Sequence, residues 1–76
     1  MGRPLDSRQV AGRLRTIETP MAIFRLRQSG KYLAMYRNTV ACERELREPS
    51  GDMDYVRTFE PGEWQTIDLM EAIENG

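Results

Sequence analysis

Two short apolar runs, residues 21–27 and 31–37, lie on either side of a Gln-Ser-Gly sequence. Apolar and basic side chains alternate from Phe24 to Arg27, and a period of two residues is typical of β-strands. Gly30 can adopt the left-handed backbone conformation that a tight hairpin turn requires. The pattern therefore predicts a β-hairpin, and most of the other elements can be placed relative to it.

The length of the turn decides which side chains share a face of this hairpin. With a three-residue turn, Phe24 lies opposite Ala34, and Leu26 lies opposite Tyr32. Every second residue then points to the same side, where these side chains can form a core. The predicted core face consists of Ala22, Phe24, Leu26, Tyr32, Ala34 and Tyr36.

The opposite face of the predicted hairpin carries apolar residues among basic ones. Its apolar residues are Met21, Ile23, Leu33 and Met35. If no helix covers them, they form an apolar strip rimmed by arginine, which suits contact with a protein partner or a second copy of the chain. The alternative is that one helix covers each side of the sheet and buries the strip.

Helix signals precede the hairpin. Asp6 and Gln9 have the spacing of a capping box, in which each side chain bonds the backbone N–H of the other residue. Apolar residues then recur at helical spacing, at Val10, Ala11, Leu14 and Ile17. The spacing predicts a helix over residues 7–15, which ends before Pro20 because proline disfavours a helical residue in front of it.

A helix–turn–helix is the competing interpretation of residues 7–29. Thr19 could cap a second helix that has Pro20 at its first position and Gly30 at its C-terminal end. This arrangement is typical of DNA-binding domains. The alternation from Phe24 to Arg27 favours the hairpin.

The middle of the chain allows two interpretations. Residues 40–48 form a strand in one and a helix that begins near Thr39 in the other. The sequence Pro49-Ser50-Gly51 resembles the first turn, which favours a second hairpin whose other strand is residues 53–59. That hairpin places Glu43 opposite Arg57 and Ala41 opposite Phe59.

The C-terminal part begins with a turn signal. Pro61 and Gly62 suit the two central positions of a type II turn, and a short strand over residues 64–67 is predicted after it. Asp68 is a candidate N-cap with Glu71 three residues on, which predicts a C-terminal helix. The alternative is a longer helix that begins at Pro61.

These elements predict an α+β fold with an N-terminal helix, an antiparallel β-meander of three to five strands and a C-terminal helix. A length of 76 residues predicts one domain over residues 1–76, with residues 1–5 frayed. No apolar run approaches the roughly 20 residues of a membrane span. A single cysteine, Cys42, favours a reducing compartment, so the cytoplasm is expected.

Catalytic chemistry has little support in this composition. The chain has no histidine, the commonest general base and metal ligand. No glycine-rich phosphate loop is present, and Cys42 has no histidine with which to form a catalytic pair. The sequence therefore predicts a protein that is not an enzyme, with no cofactor, no metal and no small-molecule substrate.

The charge distribution is uneven. Residues 1–37 contain eight basic and two acidic residues, whereas residues 38–76 contain three basic and ten acidic ones. All basic residues except Lys31 are arginines, which suit bidentate phosphate contacts. The candidate nucleic-acid contacts are Arg8, Arg13, Arg15, Arg25, Arg27, Lys31 and Arg37. The alternative is that the two halves pair with each other.

Together these features predict a small, non-enzymatic binding or regulatory protein of a kind that phages and mobile elements encode. Its expected partner is another protein or a second copy, bound through the apolar strip. The alternative is DNA or RNA, bound through the basic half of the chain.

Overall fold

The computed structural model describes residues 3–76, and the chain there forms three α-helices, three strands and a short 3-10 helix. The strands form one antiparallel sheet in the order β2-β1-β3. The predicted α+β class is confirmed, with three strands in the sheet. The elements in chain order are α1 (Ser7–Leu14), β1 (Met21–Leu26), β2 (Tyr32–Tyr36), α2 (Val40–Arg47), β3 (Met53–Phe59), the 3-10 helix (Glu63–Gln65) and α3 (Leu69–Asn75).

Helices cover both faces of the sheet. One face packs against α1 and α3, through a core that includes Val10, Leu14, Met21, Ile23, Phe59 and Ile73. We call this the α1–α3 face. The other face, the α2 face, joins Ala22 and Phe24 to Cys42. Because β1 is the central strand and lies under both layers, its first four residues are all buried.

The predicted hairpin is confirmed, but its turn is one residue longer than expected. The Leu26 N–H donates to the Lys31 carbonyl at 2.7 Å, which leaves residues 27–30 in the turn. Gly30 has a φ of 74°, as its place in the turn required. Phe24 therefore lies opposite Leu33, and the predicted Phe24–Ala34 pairing is wrong.

This shift redistributes the side chains of β2. Strand side chains alternate between faces, so a shift of one residue moves every β2 side chain to the other face. Tyr32 and Ala34 lie on the α1–α3 face, while Met35 packs on the α2 face. The predicted core face, with Ala22, Phe24, Leu26, Tyr32, Ala34 and Tyr36 together, is therefore wrong. Tyr36 is 44% exposed.

The predicted N-terminal helix is confirmed as α1. The Gln9 N–H donates to Asp6 Oδ1 at 2.8 Å, and the Asp6 N–H donates to Gln9 Oε1 at 2.9 Å, which completes the capping box. Leu5 exchanges two backbone hydrogen bonds with Tyr32, so the predicted fraying does not reach Leu5. Met1 and Gly2 lie outside the described residues. The helix–turn–helix interpretation is wrong, because β1 occupies the place of its second helix.

The predicted second hairpin is wrong. Residues of α2 form a helix capped by Thr39, whose hydroxyl accepts from the Cys42 N–H at 3.2 Å. β3 pairs with β1 instead, so the predicted Glu43–Arg57 and Ala41–Phe59 pairs do not form. The helix is favoured because it places Cys42 and Leu46 on one side, over the α2 face.

The C-terminal segment follows the predicted turn. The Glu63 N–H donates to the Glu60 carbonyl at 3.1 Å, and Gly62 has φ 79° and ψ −6°, as a type II turn requires. α3 then begins at Leu69, and the Asp68 carboxylate accepts from the Glu71 N–H at 3.3 Å. Neither the predicted strand over residues 64–67 nor the longer helix from Pro61 forms.

Candidate functional site

The apolar strip predicted as a protein interface is not on the surface. Met21 is 1% exposed, Ile23 is 0% exposed and Leu33 is 8% exposed, while Met35 is half-buried. Met21 and Ile23 pack under α1 and α3, and Met35 packs on the α2 face. The expectation of an exposed strip is therefore wrong, and the alternative, with helices on both sides of the sheet, is what the chain adopts.

The basic residues predicted to contact nucleic acid all lie at the surface. Two of them, Arg25 and Arg27, donate side-chain hydrogen bonds within the chain. Arg25 donates to the Glu74 carbonyl at 3.0 Å and lies 5.6 Å from the centre of the Tyr32 ring. Arg27 forms an ion pair with Asp54 at 2.7 Å. Asp54 and Glu74 belong to the acidic half of the sequence, so at these two arginines the halves do contact each other.

The solvent side of α1 carries basic and no acidic side chains. The helix contains Arg8 and Arg13 and no acidic residue. Arg15, directly after the helix, stacks 5.7 Å above the half-buried Trp64 ring. Among residues 3–76 the ion pairs are Arg27–Asp54 and Arg57–Glu63, so none of the three arginines at α1 is in one.

The outer edge of β3 is the second distinct surface. β3 bonds to β1 along one side, and in residues 3–76 no other element makes a backbone hydrogen bond to this strand. The backbone groups of successive strand residues point alternately to the two sides. The Arg27 N–H donates to the Asp52 carbonyl, so every second residue of β1 before Arg27 also directs its backbone groups toward β3. These β1 residues lie opposite Asp54, Arg57 and Phe59, which leaves the groups of Met53 and Thr58 directed outward.

The other edge of the sheet is less open. Leu5 bridges to Tyr32 at the start of β2, and the Tyr36 carbonyl at its end accepts from both the backbone N–H and the hydroxyl of Thr39. Among the described residues, only the middle of β2 has no hydrogen-bonding partner along this outer edge. β3 is therefore the longer strand edge available to an incoming segment.

A β-bulge interrupts β3 in its middle. Arg57 lies opposite Ile23 and Tyr55 lies opposite Phe24, so Val56 has no partner on β1. Val56 packs toward the core of the α1–α3 face. The extra residue changes which side chains share a face, because the alternation restarts after it.

The bulge places Asp54 and Arg57 on the same face of the sheet. Asp54 lies opposite Arg25, whose side chain reaches α3, and Arg57 lies opposite Ile23 on the same side. In a regular strand two residues separated by three positions point to opposite faces. The α1–α3 side of this edge therefore carries one acidic and one basic side chain.

Tyr55 and Thr58 lie on the α2 side of the edge. The Tyr55 ring packs against Phe24 with a centroid separation of 5.6 Å, and its hydroxyl lies 2.6 Å from that of Thr58. Tyr55 is nevertheless 49% exposed. α2 lies over β2, since β2 is the strand it contacts most, and so it leaves the β3 part of this face open.

Cys42 is a free cysteine buried on the α2 face. Burial raises the pKa of the Cys42 thiol, which favours the unreactive protonated form. A cleft of about 400 Å³ lies between the two turns and opens to solvent, and it is lined by Leu26, Arg27, Gln28, Ser29, Gly51 and Asp52. Residues 3–76 contain no cluster of histidine, cysteine or acidic side chains suited to a metal ion. None of the described helices has the length and apolar character needed to cross a membrane.

Comparisons with known protein families, with curated proteins and with solved structures found no match to this chain. The sequence pattern placed Tyr55 and Thr58 on a strand but gave no reason to single them out. An open edge is a property of the strand order, and no local signal in residues 53–59 could have revealed it.

Proposed function

We propose that this protein is a small, non-enzymatic binding protein of the cytoplasm, with a regulatory role. It binds an extended segment of a protein by adding that segment to β3 as a further strand. The observation that carries the proposal is the open outer edge of β3, in a sheet whose central strand is covered by helices on both faces. Protein binding thus stays the leading hypothesis, and its place moves from the face of the sheet to its edge.

Strand addition suits this edge for a physical reason. Main-chain hydrogen bonds supply much of the affinity in such complexes, and pockets for alternate side chains supply specificity. The outward groups of Met53 and Thr58 supply the hydrogen bonds. The exposed part of Tyr55 supplies an apolar contact of the kind enriched in protein interfaces.

Selection from a library of random peptides tests the proposal. We expect the protein to enrich peptides with strand-forming sequences. Thr58→Pro should abolish their binding, because proline lacks the outward N–H. The sheet should tolerate the change, since the Thr58 N–H makes no hydrogen bond to β1. Thr58→Val is the matched control, since it keeps the N–H and replaces the hydroxyl, which lies 2.6 Å from that of Tyr55, with a methyl group. It should bind normally.

Two further observations complete this test. Circular dichroism must show that the proline variant is folded. In the wild-type protein, hydrogen exchange should slow at the amides of Met53 and Thr58 when peptide is bound. Enriched peptides that bind both variants equally, or the absence of any enriched peptide, would contradict the proposal.

Nucleic-acid binding remains a second candidate, and the basic surface of α1 favours it. Arg8, Arg13 and Arg15 face solvent without an ion-pair partner among residues 3–76, and Lys31 and Arg37 are also exposed. Arg25 and Arg27 are weaker candidates than the sequence suggested, because each already has an intramolecular partner.

Fluorescence polarisation with labelled DNA and RNA at low salt tests this second function. Binding through α1 should weaken with added salt and should be lost in an Arg8→Glu, Arg13→Glu double variant. The same charge change on α2, Arg44→Glu with Arg47→Glu, is the control and should have little effect. Equal losses in both double variants would point to overall charge and would reject a site on α1.

A further inference from the structure

We infer that the segment which adds to β3 is the β3 strand of a second copy of this chain. The two strands run antiparallel about a two-fold axis that passes between Tyr55 and Val56 of each copy, and they join the two sheets into one six-stranded sheet. This inference rests on the proposed function of the β3 edge and names its partner.

The β-bulge allows this register. In an antiparallel pair, residues that lie opposite each other point to the same face. In a symmetric pair of regular strands, the two-fold axis must therefore lie between the two copies of one residue, which then face each other. An axis between two successive residues would bring side chains of opposite faces together. The unpaired Val56 restarts the alternation, so an axis between Tyr55 and Val56 pairs Met53 with Thr58 on one face and Asp54 with Arg57 on the other. At the axis itself Tyr55 lies opposite Val56, and these two side chains point to different faces.

Backbone hydrogen bonds fit the same register. With the axis between Tyr55 and Val56, Met53 of one copy lies opposite Thr58 of the other. The outward N–H and carbonyl groups of these two residues then bond to each other, on both sides of the axis. Met53 and Thr58 also share the α2 face, since they lie opposite Leu26 and Ala22 of β1.

Charge complementarity supports a second copy as the partner. The register places Asp54 of each copy opposite Arg57 of the other, and the bulge has put both residues on the α1–α3 face. Within each copy Asp54 already pairs with Arg27 and Arg57 with Glu63, so the contacts between copies would extend these two ion pairs. Opposite charges directly across two strands are stabilising, and like charges there are destabilising. The edge is therefore complementary to itself.

The exposed aromatic surface gives a further reason. Tyr55 is 49% exposed and lies beside the axis, on the part of the α2 face that α2 leaves open. The two Tyr55 rings of a dimer would lie close to each other across the axis and cover this surface. A single seven-residue strand offers a small contact area, so we expect a weak dimer that forms as the protein concentration rises.

Sedimentation equilibrium of the full chain, from about 10 μM to about 1 mM, tests the inference with a charge exchange. Asp54→Arg places arginine opposite Arg57 in both contacts of a dimer, and Arg57→Glu places glutamate opposite Asp54. Each variant alone should dimerise at least about 10-fold more weakly than wild type. An equimolar mixture of the two should recover the dimer, because every facing pair is then of opposite charge.

The outcomes separate this inference from the proposed function. A wild-type protein that stays monomeric across the range, or a mixture that recovers no dimer although both variants are folded, would overturn the inference. Peptides whose binding depends on the Thr58 N–H would still support the proposed function in that case. If a charge variant does not fold, hydrogen exchange of the wild type decides. Protection of the Met53 and Thr58 amides must then increase with protein concentration.

Discussion

Ile23→Ala is the sharpest test of whether the predicted interface strip is instead core. Ile23 is 0% exposed and packs in the core of the α1–α3 face. The change removes three buried carbon atoms, and at about 0.8 kcal/mol each their transfer to water costs about 2.4 kcal/mol. The cavity that remains adds to this cost, so we expect a total of about 3–4 kcal/mol. Domains of this size have a total stability of roughly 4–11 kcal/mol.

Urea and thermal unfolding measure this loss. With a slope of about 1 kcal/mol per molar urea, the midpoint should fall by about 3–4 M. The melting temperature should fall by about 12–30 °C. Val40→Ala is the matched control because Val40 is 73% exposed, and its effect should stay within about 0.5 kcal/mol. If both variants unfold at the wild-type midpoint, Ile23 is not a core residue and the burial of the strip is refuted.

Three further predictions address other parts of the fold. The Cys42 thiol should react with Ellman's reagent at pH 8 only after unfolding, since it is buried with a raised pKa; rapid reaction in the native protein would contradict this. Gly62→Ala should cost about 1 kcal/mol in urea unfolding, because alanine is strained at φ 79° even though nothing crowds the site. Arg27 donates a hydrogen bond that lowers the pKa of Asp54 in the folded protein. The pair therefore stabilises the fold fully above the unfolded-state pKa of Asp54, and its contribution is lost as the pH falls through the folded-state pKa. The stability difference between wild type and Arg27→Gln should therefore shrink below about pH 4, and a constant difference from pH 2 to 7 would refute the pair.

Local chemistry made the helix ends and turns predictable. Asp6 and Asp68 each cap a helix whose first residues follow directly, and Gly62 takes the conformation that its place after Pro61 requires. These features depend on residues within four positions of one another. The sequence alone therefore determined α1 and the presence of a C-terminal helix. It left the start of that helix open between the Asp68 cap and Pro61, and the structure has the turn at Pro61-Gly62 and the cap at Asp68.

The register of the hairpin could not be determined in this way. Turns of three and four residues both fit a Gln-Ser-Gly sequence with Gly30 in the left-handed region. The choice between them moves Met35 from one face of the sheet to the other. It was decided by packing, since the four-residue turn places Tyr32 and Ala34 under α1 and α3 and Met35 on the α2 face.

In the second half of the chain, contacts between residues distant in sequence decided even more of the structure. Residues 53–59 were predicted as a strand from their composition, but whether they pair with residues 40–48 or with β1 depends on contacts distant in sequence. β1 is apolar on both sides, so burying it requires a neighbour on each edge and a helix on each face. That requirement made Val40–Arg47 a helix and left β3 at the edge. Tertiary structure alone decided the bulge at Val56 and the open strand beside it, because each depends on which strands become neighbours.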